Sequence, residues 1–331
     1  MSDAQRRAID AIFQAVQKKH GKASIRTMGK TREVTGYIPS ALEAVDRFIL
    51  GPGGWPWEKI SEVFGPEASG KTSMCLSALA SVQRIGGVGF HVDAENALSD
   101  DRARCFGVDL DSLLLADEFG NAEEAGEELL TALAATPKGV PFLGVFDSVP
   151  AMETKAQAAG DVGDAFMAPM ARFMSGYLPK LVRALKGKSA HVIFVNQTRL
   201  KPGVMFGNPE YTPGGNALKF LASTRLRLGR SGKPRDGGIE VKVKSVKSRF
   251  CEPGREVTAF LHFANGWDDR WTTLNHAKDL KLVESGCKDY DKARAALGWP
   301  ASEAAERLGA PLEAAGKIPK RRGKKEGKEE V

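Results

Sequence analysis

The stretch ISEVFGPEASGKT (60–72) decides how the rest of the chain is read. Residues 60–64 read as a short strand, and residues 65–72 fit the pattern G-x-x-x-x-G-K-[ST]. An apolar-periodic helix then runs from Lys71 to about Ile85. A glycine-bearing loop between a strand and a helix is the setting in which this pattern cradles phosphate. Gly65 and Gly70 let the backbone wrap closely, and the N–H groups of the loop and of the helix start point positive partial charge inward. Pro66, Glu67, Ala68 and Ser69 form the loop, and Ser73 continues the first helical turn. Lys71 has the reach for β- and γ-phosphates, and the Thr72 hydroxyl is a ligand for Mg²⁺. The alternative, a chance Gly-rich turn, leaves the flanking strand and helix unexplained.

Outward from this stretch the same alternation repeats. VGFHVD (88–93), FLGVFD (142–147) and AHVIFVN (190–196) are strands, and 122–133 and 166–186 have helical periodicity. Near-continuous apolar strands alternating with helices predict an α/β fold: a mostly parallel central sheet with helices on both faces. In such sheets ligands sit at the carboxyl ends of the strands. Asp147 ends the 142–147 strand, where it can hold Mg²⁺ through water. Glu95 lies just past the 88–93 strand and is the best-placed general base, with Asp93 as its rival. Asn196-Gln197 ends the 190–196 strand, where an amide can sense a γ-phosphate and pass its presence to the loop that follows. The bland alternatives are surface acids and a common dipeptide.

That loop, from Thr198 to Asn216, holds four Gly and three Pro with little periodicity. Structureless stretches of this length inside a compact domain tend to be functional. Residues 239–247 and 256–263 alternate like antiparallel strands, and a small helical region follows 268. At the other end, residues 3–19 read as a helix with Ile9, Ile12, Phe13 and Val16 on one face. The expected division is 1–35, an N-terminal oligomerisation helix and linker; 36–266, the core; 267–316, a small C-terminal α-rich domain; and 317–331, a basic tail.

The chain has 331 residues and a net charge of +7. The tail alone, KIPKRRGKKEGKEEV (317–331), has seven basic and three acidic side chains, so +4; the remainder is +3. At 42% hydrophobic and 27% charged the composition is that of a globular protein. No apolar stretch approaches the ~20 residues that span a bilayer, so no membrane partner is expected. The N-terminus does not read as a signal peptide. Cys75, Cys105, Cys251 and Cys287 form no CxxC pair. This argues against a structural zinc site or a disulfide framework and fits a reducing cytoplasm.

Taken together, EVFGPEASGKT (62–72), VDAENAL (92–98), DSVPAM (147–152), FVNQTR (194–199), GVMFGNPE (203–210) and GGNALKF (214–220) resemble the bacterial RecA recombinase family, in order and over roughly residues 5–266. The resemblance implies an ATP- and Mg²⁺-dependent DNA recombinase that forms a helical filament of itself on single-stranded DNA. That filament pairs the strand with homologous double-stranded DNA and exchanges strands in recombinational repair. ATP lies between subunits. Glu95 matches the family's catalytic glutamate, Gln197 its γ-phosphate sensor, and Lys247 and Arg249 two lysines that reach a neighbour's phosphates. Lys219 and Phe220 match the subunit contact, which gives the helix bearing Ile9 and Phe13 a neighbour to dock on. DNA contacts fall on two loops. The first, about 157–167, ends at Met167, with Arg172 beyond. The second, about 198–212, carries Arg199, Lys201, Met205, Phe206 and Asn208, and Gly214, Gly215 and Asn216 follow it. Arg, Lys and backbone amides hold phosphates without reading sequence, and apolar side chains wedge between bases. A repressor and loader proteins are further partners of such filaments.

Several positions depart from the family. Arg102 stands where a tyrosine stacks on adenine, and a guanidinium also stacks on a base. Ser99 replaces an acid, Pro202 an apolar wedge, Tyr211 a small hydroxyl residue, and Pro179 an arginine. The tail is basic where relatives end acidic, so it is expected to attract duplex DNA. A second reading is a DNA-binding filament protein with little turnover that protects DNA or signals damage. The intact set Lys71, Thr72, Glu95 and Asp147 argues against it. A P-loop small-molecule kinase leaves the 198–216 loop without a role.

Overall fold

A computed structural model describes residues 2–21, 25, 34–51, 53–160, 167–200 and 210–299. These divide into two compact units, split between Thr35 and Gly36. The first holds one helix, Asp3–His20, opened by a capping box in which Ser2 and Gln5 satisfy each other's backbone N–H groups. Among the described residues of that unit nothing covers its apolar stripe: Ile12 is 57% exposed, and Ile9, Phe13 and Val16 are half-buried.

The second unit is built on one nine-stranded sheet. In chain order its strands are β1 (Lys59–Gly65), β2 (Val88–Asp93), β3 (Leu113–Ala116), β4 (Phe142–Asp147), β5 (Ala190–Gln197), β6 (Thr224–Arg235), β7 (Gly238–Ser248), β8 (Glu256–His262) and β9 (Gly266–Asp268). The spatial order is β9-β8-β7-β6-β1-β5-β4-β2-β3. Strands β6 through β3 in that order are parallel, and β7, β8 and β9 continue the sheet antiparallel. The expected architecture is therefore present, with the 239–247 and 256–263 segments as the antiparallel extension.

Why these strands are buried follows from the two faces they serve. In β5, Ile193 and Val195 join one core with Val63, Leu143, Val145 and the helix Lys71–Arg84. Val192 and Phe194 point the other way, to the core under the helices Ala122–Ala135 and Met167–Ala184. A strand covered on both faces carries apolar residues at successive positions. Phe146 and Phe194 stack across neighbouring strands with ring centroids 5.0 Å apart.

The C-terminal helices pack on the antiparallel end. Helix Asp269–Asp279 lies on β8, with Trp271 5.3 Å from Phe260. Helix Tyr290–Ala296 lies beside it around Leu274, Ala277 and Ala293. A buried bidentate pair, Arg294 to Glu43 at 2.8 and 2.9 Å, ties them to the turn before residue 50. Strand β9 spans the expected boundary at 266, and helix Asp269–Asp279 follows it directly. Residues 317–331, with the tail's charge, lie outside the described residues.

Candidate active site

The loop 66–70 joins β1 to helix Lys71–Arg84 as the sequence requires. Gly65 has no room for a side chain: a Cβ would stand 2.1 Å from the Leu228 carbonyl oxygen. Gly70 caps the helix with φ +88°, the left-handed region, and a Cβ there would meet Trp267 at 3.2 Å and Leu261 at 3.3 Å. The Ser69 hydroxyl donates to the Pro66 carbonyl at 2.8 Å, and Lys71 Nζ donates to the same oxygen at 2.7 Å. Pro66, Glu67 and Ala68 are exposed at the tip.

Three strand ends meet this loop. Thr72 Oγ1, in the first turn of the helix, donates to Asp147 Oδ2 at 2.6 Å, at the end of β4. Burial pushes the Asp147 carboxyl up to about 6; Thr72 and Lys71 oppose this, while Glu95 and Asp93 add to it. Burial lowers Lys71 against the pull of Asp147, Glu95 and Glu67. Three carboxylates thus face one ammonium. Among the described residues no group of three or more His, Cys, Asp or Glu side chains forms an all-protein metal cage. A hydroxyl beside one desolvated carboxylate is instead the donor set that suits Mg²⁺, which takes one or two protein oxygens and completes its shell with water and phosphate. The residues present fit that ion.

Beyond β2, Glu95 is exposed and accepts from the Ser148 hydroxyl at 2.5 Å and from Gln197 Nε2 at 3.2 Å. Its rival Asp93 is buried, and its Oδ2 accepts the Leu98 N–H at 2.9 Å. Asp93 therefore shapes the turn, and Glu95 is the free-facing acid. Ser148 was not singled out from the sequence; it directly follows Asp147, and its adjacency to that acid is the signal it offered.

Arg102 contacts the first turn of the helix that follows the nucleotide loop. Its guanidinium donates to Ser73 Oγ and to the Phe263 carbonyl, each at 2.9 Å, and lies 4.8 Å over the Phe106 ring. Lys247 is elsewhere in its own chain: Nζ donates to the Lys219 and Phe220 carbonyls at 2.8 and 2.7 Å, closing the end of helix Ala217–Leu221. Arg249 is exposed, and Phe220, at 71% exposed, projects from that helix.

The DNA-facing candidates divide. Lys201, Met205, Phe206 and Asn208 lie outside the described residues, as do 161–166 of the first loop. Met167 begins helix Met167–Ala184, and Arg172 is exposed on it. Arg199 is exposed and pairs with Tyr211 in a two-residue ladder closing the base of the second loop. Glu210, in that ladder, accepts from Arg227 Nε at 2.8 Å and from its Nη2 at 2.6 Å. Gly214 and Gly215 have φ +85° and +77°. A Cβ on them would meet Val149 at 3.1 Å and Ala171 at 2.8 Å, so protein packing already requires both glycines. Asn216 precedes helix Ala217–Leu221 without capping it through its side chain.

Comparisons with known proteins give the family. The RecA N-terminal domain family matches residues 7–268. The chain belongs to the RecA family. Protein RecA of Haemophilus ducreyi is 43% identical over 274 residues, covering 80% of this chain and 71% of that protein. Protein RecA of Thermus aquaticus is 36% identical over 314 residues, covering 93% and 91%. Protein RecA 1 of Myxococcus xanthus is 39% identical over 310 residues, covering 91% and 89%. As a RecA recombinase the chain acts in DNA recombination and repair, and it is a DNA-dependent ATPase. Nucleotide binding, DNA binding and self-assembly are properties of the RecA family. No described helix is long and apolar enough to cross a membrane.

Proposed function

We propose that this RecA protein uses ATP with Mg²⁺ to assemble a helical filament on single-stranded DNA and to pair that strand with homologous duplex. The observation that carries the reading is the convergence of Thr72–Asp147 and Glu95–Gln197 at the mouth of one phosphate loop, with Gln197 leading straight into the 198–212 segment. Gly65, Gly70 and the backbone of residues 66–69 cradle the phosphates, and Lys71 neutralises them. Thr72 and Asp147 hold Mg²⁺, which supplies charge neutralisation at the phosphate oxygens. Glu95 takes the proton of the attacking water, and Ser148 fixes one carboxylate oxygen so that the other faces the reaction. Gln197 reports the γ-phosphate to the loop. Arg102 and Ser73 border the nucleotide, and Lys247 and Arg249 reach it from a neighbouring subunit. Arg172, Arg199, Lys201, Met167, Met205, Phe206, Asn208 and Gly214–Asn216 hold DNA. Ile9, Phe13, Lys219 and Phe220 join subunits. The cytoplasm is the compartment, with a repressor and loader proteins as further partners.

The test is ATP hydrolysis with and without single-stranded DNA, beside electron micrographs with a slowly hydrolysed analogue. DNA-stimulated turnover and helical filaments are expected. Turnover indifferent to DNA, or an absence of filaments, overturns the reading.

A further inference from the structure

Glu62 stands in the middle of β1, between Ser61 and Val63. Its side chain is fully buried. β1 lies between β6 and β5, and the carboxylate reaches both. Oε2 accepts a short bond from Arg225 Nε on β6, and Oε1 accepts from Asn196 Nδ2 on β5 at 3.0 Å.

Asn196 is also fully buried, and every polar atom of its side chain is used. Nδ2 donates a second bond, to the Pro213 carbonyl at 3.0 Å. Oδ1 accepts the backbone N–H of Gln197 at 3.0 Å. One amide therefore fixes the residue that contacts Glu95 and the residue that closes the 198–212 segment before Gly214. The third branch ends in cations. Arg225 lies 4.6 Å over the Phe64 ring and stands opposite Lys247 in the β6–β7 register. The backbone of Arg249 is bonded to the Ser223 carbonyl two residues before Arg225.

Such an arrangement is all-or-none. A buried carboxylate tolerates its site only while its counter-ion and hydrogen bonds are complete, and losing one partner leaves a desolvated charge uncompensated. Asn196 cannot release Pro213 or turn away from Gln197 without disturbing Glu62, and Glu62 cannot shift without Arg225. We propose that Asn196, anchored by Glu62 and Arg225, is a positioning residue: it locks the Gln197–Glu95 contact and the base of the 198–212 loop into one unit, so that a ligand on the loop changes the hydrolytic contact. This rests on the reading above of Glu95 as base and of the loop as a DNA contact.

The experiment compares wild type, Asn196→Ala, and the double variant Asn196→Ala with Glu62→Gln. The double variant replaces the carboxylate that has lost its Asn196 donor by a neutral amide whose oxygen still accepts from Arg225, should the single one fail to fold; circular dichroism checks both. ATP turnover is measured across ATP concentrations with and without a single-stranded oligothymidylate. In the folded variants the ratio of DNA-stimulated to basal kcat falls at least about tenfold, while KM for ATP stays within about threefold. A variant stimulated as strongly as wild type overturns the positioning role alone. A wild type without stimulation overturns the functional reading beneath it.

Discussion

Gln197 Nε2 and Glu95 Oε1 stand 3.2 Å apart, although 102 residues separate them in the chain. The contact puts a loop-facing amide on the acid assigned to activate water. Glu95→Gln keeps the shape and both hydrogen-bonding partners but removes the base. Turnover is expected to fall roughly 10²- to 10⁴-fold, the usual contribution of a general base, while binding of a fluorescent ATP analogue is retained. Loss of binding together with turnover would instead make Glu95 part of the phosphate cradle.

The two phosphate-loop glycines are matched by a control within the same protein. Gly70 has φ +88° with Trp267 and Leu261 pressing on the place of its missing side chain, whereas Gly86 has φ +74° and nothing within 4 Å. Both substitutions to Ala meet the left-handed cost of about 1–2 kcal/mol, but only Gly70→Ala also displaces packed side chains beneath the nucleotide loop. Gly86→Ala should lower the melting temperature by a few degrees and leave ATP affinity intact. Gly70→Ala should abolish measurable ATP binding. Equal effects on binding would show that backbone strain alone governs the loop.

The contrast between legible and hidden parts of the site has a physical basis. Lys71, Thr72, Glu95 and Asp147 were readable because each follows locally from a strand end or a loop pattern. β1, β2, β4 and β5 were readable because they are covered on both faces, which forces apolar runs. β6 escaped because TRLRLGRSGKPR (224–235) alternates with Arg and carries Gly and Pro, and β3 because LLLA (113–116) is a short edge. Arg225 and Glu62 escaped for a different reason. Their partners are chosen by the order β6-β1-β5, which brings together segments about 130–160 residues apart, and no local pattern encodes a crossover order.

Arg102 is held at both ends, by Ser73 Oγ and by the Phe263 carbonyl, each at 2.9 Å. It therefore braces the first turn of the nucleotide helix against the end of β8. Arg102→Ala should raise KM for ATP about fivefold or more and change kcat by less than about twofold, the signature of lost uniform binding. Arg102→Lys should not restore it, because one ammonium cannot span both acceptors as a planar fork does. Steady-state kinetics decide it: an unchanged KM in Arg102→Ala would leave the brace without a role in nucleotide affinity.

Asp269 gives the protein a pH dependence far from the nucleotide. Its carboxyl is buried, accepting from the Glu43 N–H at 2.6 Å and from the Tyr290 hydroxyl at 3.1 Å. Burial pushes it up to about 7, with the Glu43 and Asp46 carboxylates adding to the effect and its two hydrogen bonds opposing it. The folded chain thus keeps a proton that the unfolded chain releases near pH 4. Unfolding releases that proton, so this site's stability is greatest at the acidic end and declines as pH rises from about 4 to about 7. Asp269→Asn keeps the acceptor for Glu43 and lets Tyr290 accept instead of donate, without the charge. Its melting temperature relative to wild type should therefore climb between pH 5 and pH 8, by roughly 5 °C for a penalty on the order of a few kcal/mol. Parallel melting curves across that range would mean that Asp269 stays ionised in the folded protein, with Tyr290 and the Glu43 amide carrying its charge.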